Sequence, residues 1–317
     1  MRFSCFAARL AEAALTMLGA SLAVFALTML GTDELARQMI TGAEERPVSP
    51  EEIAAVTEAL GLSDPFFAQF ARWLAAALHG DLGWSYMCQA PVTEVILARF
   101  PATLALAGAA FALTLLVSIP LGLLAAHRPG GKADLLIRGL SFAGLSLPGF
   151  WLGLLLLWSF GLKLRLFPIA AGTGGWAALV LPALALAAGM ASKYVRQVRA
   201  AALEELAKDY VIGAHARGFS DARILFREVL PNALLPLTAL FGLSAASLLS
   251  GAAVIEAVFG WPGLGYLAVQ AVEFRDIRLL QGIAVWGALC CTLSQFAADA
   301  AQRLLDPRLS AERRSRR

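Results

Sequence analysis

The residues able to bind a metal or act as nucleophiles are few and badly spaced for either task. The cysteines are Cys5, Cys88, Cys290 and Cys291, with no Cys-x-x-Cys pair and no partner at metal-ligand spacing. Cys290 and Cys291 fall in an apolar run, where free cysteine behaves as a small apolar side chain. His127 and His215 stand beside arginines and read as solvated loop residues. His79, with Met87 and Cys88 nearby, has the chemistry for a transient soft-metal contact, although loop packing is the plainer reading. Nucleotide hydrolysis needs a phosphate-cradling Gly-x-x-x-x-Gly-Lys-Ser/Thr loop. The one Gly-Lys pair, Gly131-Lys132, is followed by Ala133 and lacks both the spacing and the hydroxyl. The expectation is therefore no catalytic site, no resident metal and no cofactor.

Composition explains why such groups are scarce. The chain is 59% hydrophobic and 15% charged, with mean hydropathy +0.69. A soluble domain of this size cannot hide that much apolar surface. A membrane span needs about 20 mostly apolar residues, and six runs qualify: 10–30, 102–126, 135–162, 177–195, 233–256 and 279–302. The N-terminal pattern of Arg2, Arg9, apolar run and Gly19-Ala20-Ser21 imitates a secretory signal. Its apolar stretch continues to Leu30, longer than a signal core, so an uncleaved span is expected. Ionisable residues within spans are costly and default to functional hypotheses. Few are present; Glu256 and Asp299 lie near span ends, which suits interfacial or helix-pairing roles. A path lined by small residues, backbone and aromatics follows.

Basic residues set the orientation. Arg2 and Arg9 precede the first run, and Arg128, Lys132 and Arg138 flank the turn between the second and third. Lys193, Arg196, Arg199, Lys208, Arg217, Arg223 and Arg227 surround the polar segment between the fourth and fifth. The tail carries Arg303, Arg308, Arg313, Arg314, Arg316 and Arg317, whereas 31–100 holds ten acids against four arginines. All the basic segments share one side if both termini are cytoplasmic. The expected fold is thus an all-α polytopic membrane protein with six transmembrane helices. Its expected parts are an N-terminal transmembrane helix (1–30), a periplasmic segment (31–100), a five-helix core (101–306) and a basic cytoplasmic tail (307–317). Within 31–100, Ser49-Pro50-Glu51-Glu52 reads as a helix start. Ile53 to Leu60 has helical apolar spacing, and Phe66, Phe70, Trp73 and Leu74 predict a second amphipathic helix.

The polar stretch Glu204–Pro236 must lie outside the bilayer with membrane helices at both ends. Apolar residues recur at helical spacing (Leu203, Leu206, Tyr210; then Ile224, Leu225, Val229), and Gly218 interrupts them. Ser220 can cap a second short helix, which Pro231 is expected to end. A helix–glycine–helix element anchored at both ends is suited to being pushed by a partner. Gly139, Gly144 and Ser146, and Gly242, Ser244, Ala245 and Ser247, would allow close helix approach. Pro120 and Pro148 are expected kinks.

Glu204–Pro236 resembles the cytoplasmic coupling loop of ABC importer permeases, whose signature is Glu-Ala-Ala, three residues, Gly, nine residues, Ile-x-Leu-Pro. Gly218, Leu230 and Pro231 match it; Glu228 replaces the isoleucine, and Ile212-Gly213-Ala214 keeps only the last alanine. Asp209-Tyr210-Val211, Ala214-x-Ala216-x-Gly218 and Asn232-Ala233-Leu234-Leu235-Pro236 are similar to the dipeptide/oligopeptide/nickel branch. So are Leu60-Gly61-Leu62, Gly80-Asp81-Leu82-Gly83-x-Ser85, Pro91-Val92, Pro101-Ala102-Thr103-Leu104, Ser146-Leu147-Pro148-x-Phe150-Trp151, Val258-Phe259-x-Trp261-Pro262-Gly263-Leu264-Gly265, Arg275-Asp276 and Asp306-Pro307-Arg308. Gly149 and Ile277-Arg278 depart from the usual wording. The run from Pro101 to Ala110 is closer to nickel than to dipeptide permeases.

What the resemblance implies is a multi-pass permease subunit of a type I ABC importer in the bacterial inner membrane. It would translocate a small substrate, nickel or a metal chelate or a di- or oligopeptide. An extracytoplasmic solute-binding protein would deliver the substrate, and separate ATP-binding subunits would dock on the coupling loop, 198–231. A second permease subunit, homologous or identical, and membrane lipid complete the implied partners; nucleic acid is not among them. Asp209, Tyr210, Ala214, Ala216, Gly218, Leu230, Pro231 and Asn232 are the implied coupling residues. The alternatives are a secondary transporter, which would show membrane-buried charges or broken inverted repeats, and a membrane-embedded enzyme, which would show paired polar groups within spans.

Overall fold

The computed structural model describes residues 2–29, 64–169 and 175–305, together with residues 40, 49, 51, 52 and 58. Leu60-Gly61-Leu62, most of the run from Ile53 to Leu60, and 306–317 with the basic tail lie outside the described residues. What is described is almost wholly helical. The elements are α1 (Arg2–Met29), α2 (Phe66–Leu78), a two-stranded antiparallel pair β1 (Trp84–Ser85) and β2 (Ala90–Pro91), α3 (Val92–His127) and α4 (Lys132–Ser146). They continue with α5 (Gly149–Leu156, extended by a wide π turn at Leu157–Lys163), α6 (Ala177–Leu206), α7 (Asp209–Ala216) and α8 (Asp221–Arg223, extended by a π turn at Ile224–Val229). Last come α9 (Leu230–Phe259), α10 (Leu264–Glu273) and α11 (Ile277–Leu305).

Among the described residues, three helices are long and apolar enough to cross a membrane: Val92–His127, Ala177–Leu206 and Ile277–Ala297. The number rises to five if two bent pairs each count as one span. The first pair is Lys132–Ser146 with Gly149–Lys163, bent by 101°. The expected kink at Pro148 is therefore a full break. Leu147 is extended (φ −91°, ψ 129°) because a residue before proline is pushed out of the helical region, and Pro148 starts the next helix. The second pair is Ala252–Phe259 with Leu264–Glu273, bent by 77°. There Gly260 takes a left-handed conformation (φ 59°) that stops α9, and Trp261 N–H bonds back to Glu256 O at 2.8 Å. Pro120 and Pro182, by contrast, sit inside continuous helices.

The chain divides into two compact units: Met1–Thr103 with Pro262–Thr292, and Leu104–Trp261 with Leu293–Arg317. In the first unit, α2 is the amphipathic helix expected from Phe66, Phe70, Trp73 and Leu74. Phe70 and Trp73 are buried against Phe25 of α1, with ring centroids 5.5 and 5.8 Å from it. Ser49 and Glu52 form a reciprocal capping box: Ser49 Oγ accepts from Glu52 N–H (3.1 Å) and Glu52 Oε2 accepts from Ser49 N–H (3.0 Å). Helix α3 starts at Val92, before the apolar run at 102, because Val92 and Ile96 are one turn apart and both fully buried. They pack with Leu82, Leu264, Leu267 and Leu279.

Two sequence words far apart in the chain meet in this unit. The buried Asp276 carboxylate accepts from Ser85 Oγ (2.7 Å) and Met87 N–H (3.0 Å), and caps α11 by accepting from Leu279 N–H (3.0 Å). His79 is exposed, with Nδ1 2.7 Å from Ala75 O of its own helix. Among the described residues, no group of three His, Cys, Asp or Glu is placed to hold a metal ion.

In the second unit, α6 is the central packing element. A Cβ on Gly122 of α3 would lie 2.6 Å from Val198 Cβ, so the close approach of α3 to α6 at this point requires glycine. Ala125, Ile137 and Val195 join α3, α4 and α6. Of the expected close-approach residues, Gly144 does face Ser192 of α6, whereas Gly139 meets nothing within 4 Å. Gly242, Ser244, Ala245, Ser247 and the Asp299 side chain lie outside the described side chains. Glu256 is fully buried.

Candidate functional site

The polar segment folds as α7 and α8 between α6 and α9, entirely within the second unit. Helix α6 ends at Leu206, and Lys208 turns the chain in extended conformation (φ −84°, ψ 151°) into α7. Asp209 sits in the first turn of α7, where a carboxylate favours the helix dipole. The helix closes with a complete Schellman motif: Phe219 N–H bonds to Ala214 O (3.2 Å) and Gly218 N–H to His215 O (2.9 Å). Gly218 is the left-handed residue the motif requires, with φ 78°. The expected helix–glycine–helix arrangement is present.

Two details differ from expectation. Ser220 occupies the cap position of α8 but makes no side-chain cap bond. Pro231 does not end a helix. The chain passes through the π turn Ile224–Val229 straight into α9, with Pro231 in its first turn. A proline here lacks an N–H and crowds the carbonyl four residues back; the wide turn just ahead of it makes room for both. Asn232 then donates through Nδ2 to Glu228 O (2.8 Å), satisfying a carbonyl in that irregular stretch.

Eight residues were singled out from the sequence, and the structure sorts them by burial. Ala214 is fully buried, and Tyr210, Leu230 and Asn232 are half-buried. Asp209, Ala216, Gly218 and Pro231 are exposed. The inner face packs Val211, Ala214, Ile224, Leu225 and Val229 with Ala233 and Leu237 of α9, Leu123 and Ala126 at the end of α3, and Val198 and Ala202 of α6. This core joins the segment to three helices.

Tyr210 ties the pieces together. Its hydroxyl donates to Glu205 Oε2 (2.9 Å), while Lys208 Nζ lies 2.5 Å from Glu205 Oε1. Burial pushes the phenol up to about 12, Glu205 adds to the shift, and a hydrogen bond from the Asn232 side chain opposes it. The DYV and NALLP words therefore meet at one hydroxyl.

The outward face was less visible in the sequence. Ile212 and Phe226 are large apolar residues left 65% and 56% exposed. Phe219 is clasped by two guanidinium groups, Arg217 at 5.0 Å and Arg223 at 3.8 Å from its ring centroid. An aromatic bracketed by arginines was the available signal. The pair of buried Asp134 and half-buried Arg199, 65 positions apart, carried none. His215 Nδ1 lies 3.8 Å from Asp221 Oδ1 on the outward face, and among the described residues no cluster of His, Cys, Asp and Glu is placed to hold a metal ion. The exposed side chains include large apolar and basic ones, on a packed base.

The family model described as "Binding-protein-dependent transport system inner membrane component" matches residues 118–311, and its N-terminal companion model matches 1–107. The chain belongs to this family. It resembles the oligopeptide transport system permease protein AppB of Bacillus subtilis, 38% identical over 266 residues that cover 80% of this chain and 83% of that one. It also resembles the dipeptide permease protein DppB of Escherichia coli K12, 32% identical with 84% and 88% covered. The nickel import permease protein NikB of Staphylococcus aureus RF122 is 33% identical with 82% and 78% covered. The fold is similar to a solved chain of the inward-facing MetNI methionine ABC transporter, with TM-score 0.58 and 21% identity over 67% of this chain and 97% of that one. The chain is accordingly the membrane subunit of a binding-protein-dependent ABC importer. It is not an enzyme, and ATP hydrolysis comes from separate subunits.

Proposed function

We propose that this chain is a six-span importer permease of the bacterial inner membrane, with both termini cytoplasmic. It pairs with a second permease subunit, identical or homologous, in contact with lipid, and moves a di- or oligopeptide or nickel, free or chelated. The ATPase subunits dock on the loop 198–231, through the face that Asp209, Ala216, Gly218 and Pro231 share with Ile212 and Phe226. Tyr210, Ala214, Leu230 and Asn232 hold that face to the membrane helices. Segment 31–100 faces the periplasm with the substrate-delivery protein, 101–306 is the translocation core and 307–317 the cytoplasmic tail. The single observation behind the reading is the Gly218 element, closed by a Schellman motif and fused by its apolar side to α3, α6 and α9. A push on such an element becomes a rigid-body movement that biases a two-state path.

Orientation is the first thing to test. In a cysteine-free background, a membrane-impermeant thiol reagent should label Glu44→Cys and Glu58→Cys on intact cells. Arg217→Cys, Arg223→Cys and Arg314→Cys should react only after the cells are opened. Labelling of Arg223→Cys from outside would put the loop beyond any cytosolic ATPase and end the proposal. Uptake of radioactive nickel and of labelled di- and oligopeptides in a deletion strain then separates the two substrate classes.

A further inference from the structure

We infer that Asp134 and Arg199 form the rigid link that passes movement of the α7–α8 element to the broken helix pair α4–α5. Both would be positioning residues for transport; the inference rests on α7–α8 being where ATPase subunits push. Asp134 has no exposed surface. Arg199 grips it with a fork, Nε to Oδ1 at 2.6 Å and Nη2 to Oδ2 at 2.8 Å, and Gly130 N–H adds a third bond to Oδ2 at 2.8 Å. Gly130 alone would tie the carboxylate to its own turn. The fork does something else: it fixes the register of α4 against α6, since a bidentate pair tolerates neither sliding nor rotation.

The surroundings connect that register to the loop at one end and to the break at the other. Arg199 follows Val198, which is fully buried in the same core as Val211, Ala214, Ile224 and Val229. Its anchor point on α6 therefore moves with the loop. From Asp134, α4 runs along α6 to the 101° break at Leu147-Pro148. Along the way the contacts are Ile137 with Val195, Gly144 with Ser192, and the Arg196 guanidinium 5.2 Å from the Phe142 ring. Small and apolar contacts can slip by a fraction of a turn; the forked pair cannot. An ion pair whose carboxylate is buried and whose guanidinium is half-buried adds little net stability compared with apolar replacements, so its presence in so uncharged a chain calls for a role in geometry.

The test uses the whole complex in proteoliposomes, with ATPase subunits, companion permease and binding protein. Uptake of a mixture of labelled oligopeptides and radioactive nickel is counted per ATP hydrolysed. Asp134→Asn should lower this ratio about tenfold, within the usual range of site-to-site coupling, while basal hydrolysis per complex stays unchanged. Arg199→Lys, which keeps the charge but not the fork, should fall in between and carries the test if Asp134→Asn does not assemble. The reversal Asp134→Arg with Arg199→Asp should recover part of the ratio. The link is refuted if the assembled variants keep the wild-type ratio, or if uptake and hydrolysis fall together in proportion to complex abundance. A wild-type complex that couples no hydrolysis to uptake would refute the underlying reading instead.

Discussion

Substitutions at Gly218 separate backbone strain from steric collision, because the structure supplies one and not the other. A Cβ built on Gly218 meets nothing within 4 Å, yet φ is 78°. The whole cost of a side chain therefore comes from holding an L-residue in the left-handed region, about 1–2 kcal/mol for alanine. Asparagine, whose short polar side chain tolerates that region, should cost less, and valine more, since a β-branched residue there is a true outlier. If the Schellman turn stays in equilibrium with an unwound form, 1–2 kcal/mol lowers the ratio of docking-competent to unwound turn by a factor of about 5–30. Uptake per ATP in a reconstituted complex should fall in the order Gly, Asn, Ala, Val, while membrane insertion and complex abundance hold, since the residue is exposed. Normal transport by Gly218→Val at normal abundance, or equal behaviour of all three variants, would refute the argument.

Two further outcomes follow from the hydrogen bonds. Tyr210→Phe removes the bond to Glu205, a charged acceptor, at a cost of about 1.5–3 kcal/mol, and should be read as faster proteolysis of the 204–230 segment in the assembled complex. The raised phenol pKa means that this contribution is fully present below the unfolded value near 10 and is lost as pH rises through about 12. Wild type and variant should accordingly show parallel pH profiles from about pH 6 to 9; divergence within that window would count against the assignment. Asp276→Ala strands the donors of Ser85 and Met87 and removes the α11 cap, costing about 3 kcal/mol, whereas Ser85→Ala should cost less. Thermal unfolding in detergent checks the order, and equal stability of Asp276→Ala and wild type would contradict it.

Hydrophobic patterning made the long apolar helices legible, because one physical requirement, apolar length, dominates them. The same holds for Phe70 and Trp73, whose helical spacing already placed them on one buried face, and for the helix start at Ser49-Pro50-Glu51-Glu52, though not for its reciprocal capping bonds. Gly218 was equally readable: a glycine between two periodic segments implies a backbone conformation that other residues resist. Local chemistry of this kind is written in neighbouring residues and needs no knowledge of the fold.

Other features depend on partners brought from far away. Pro148 could be read as a kink; that it breaks the run by 101° depends on how α4 and α5 each pack on α6. Pro231 looked like a stop and proved to be a passage, because the π turn before it widens the helix and Asn232 satisfies the Glu228 carbonyl. The sequence by itself determined the apolar helices, the polar element with its glycine and the absence of an ATP-binding loop, since these follow from composition and short spacing. Only the tertiary structure decided that Asp134 belongs to Arg199, that Asp276 holds Ser85, and which side of α7 is buried. Hydrogen bonds and packing select partners by distance in space, and nothing in linear order records that distance.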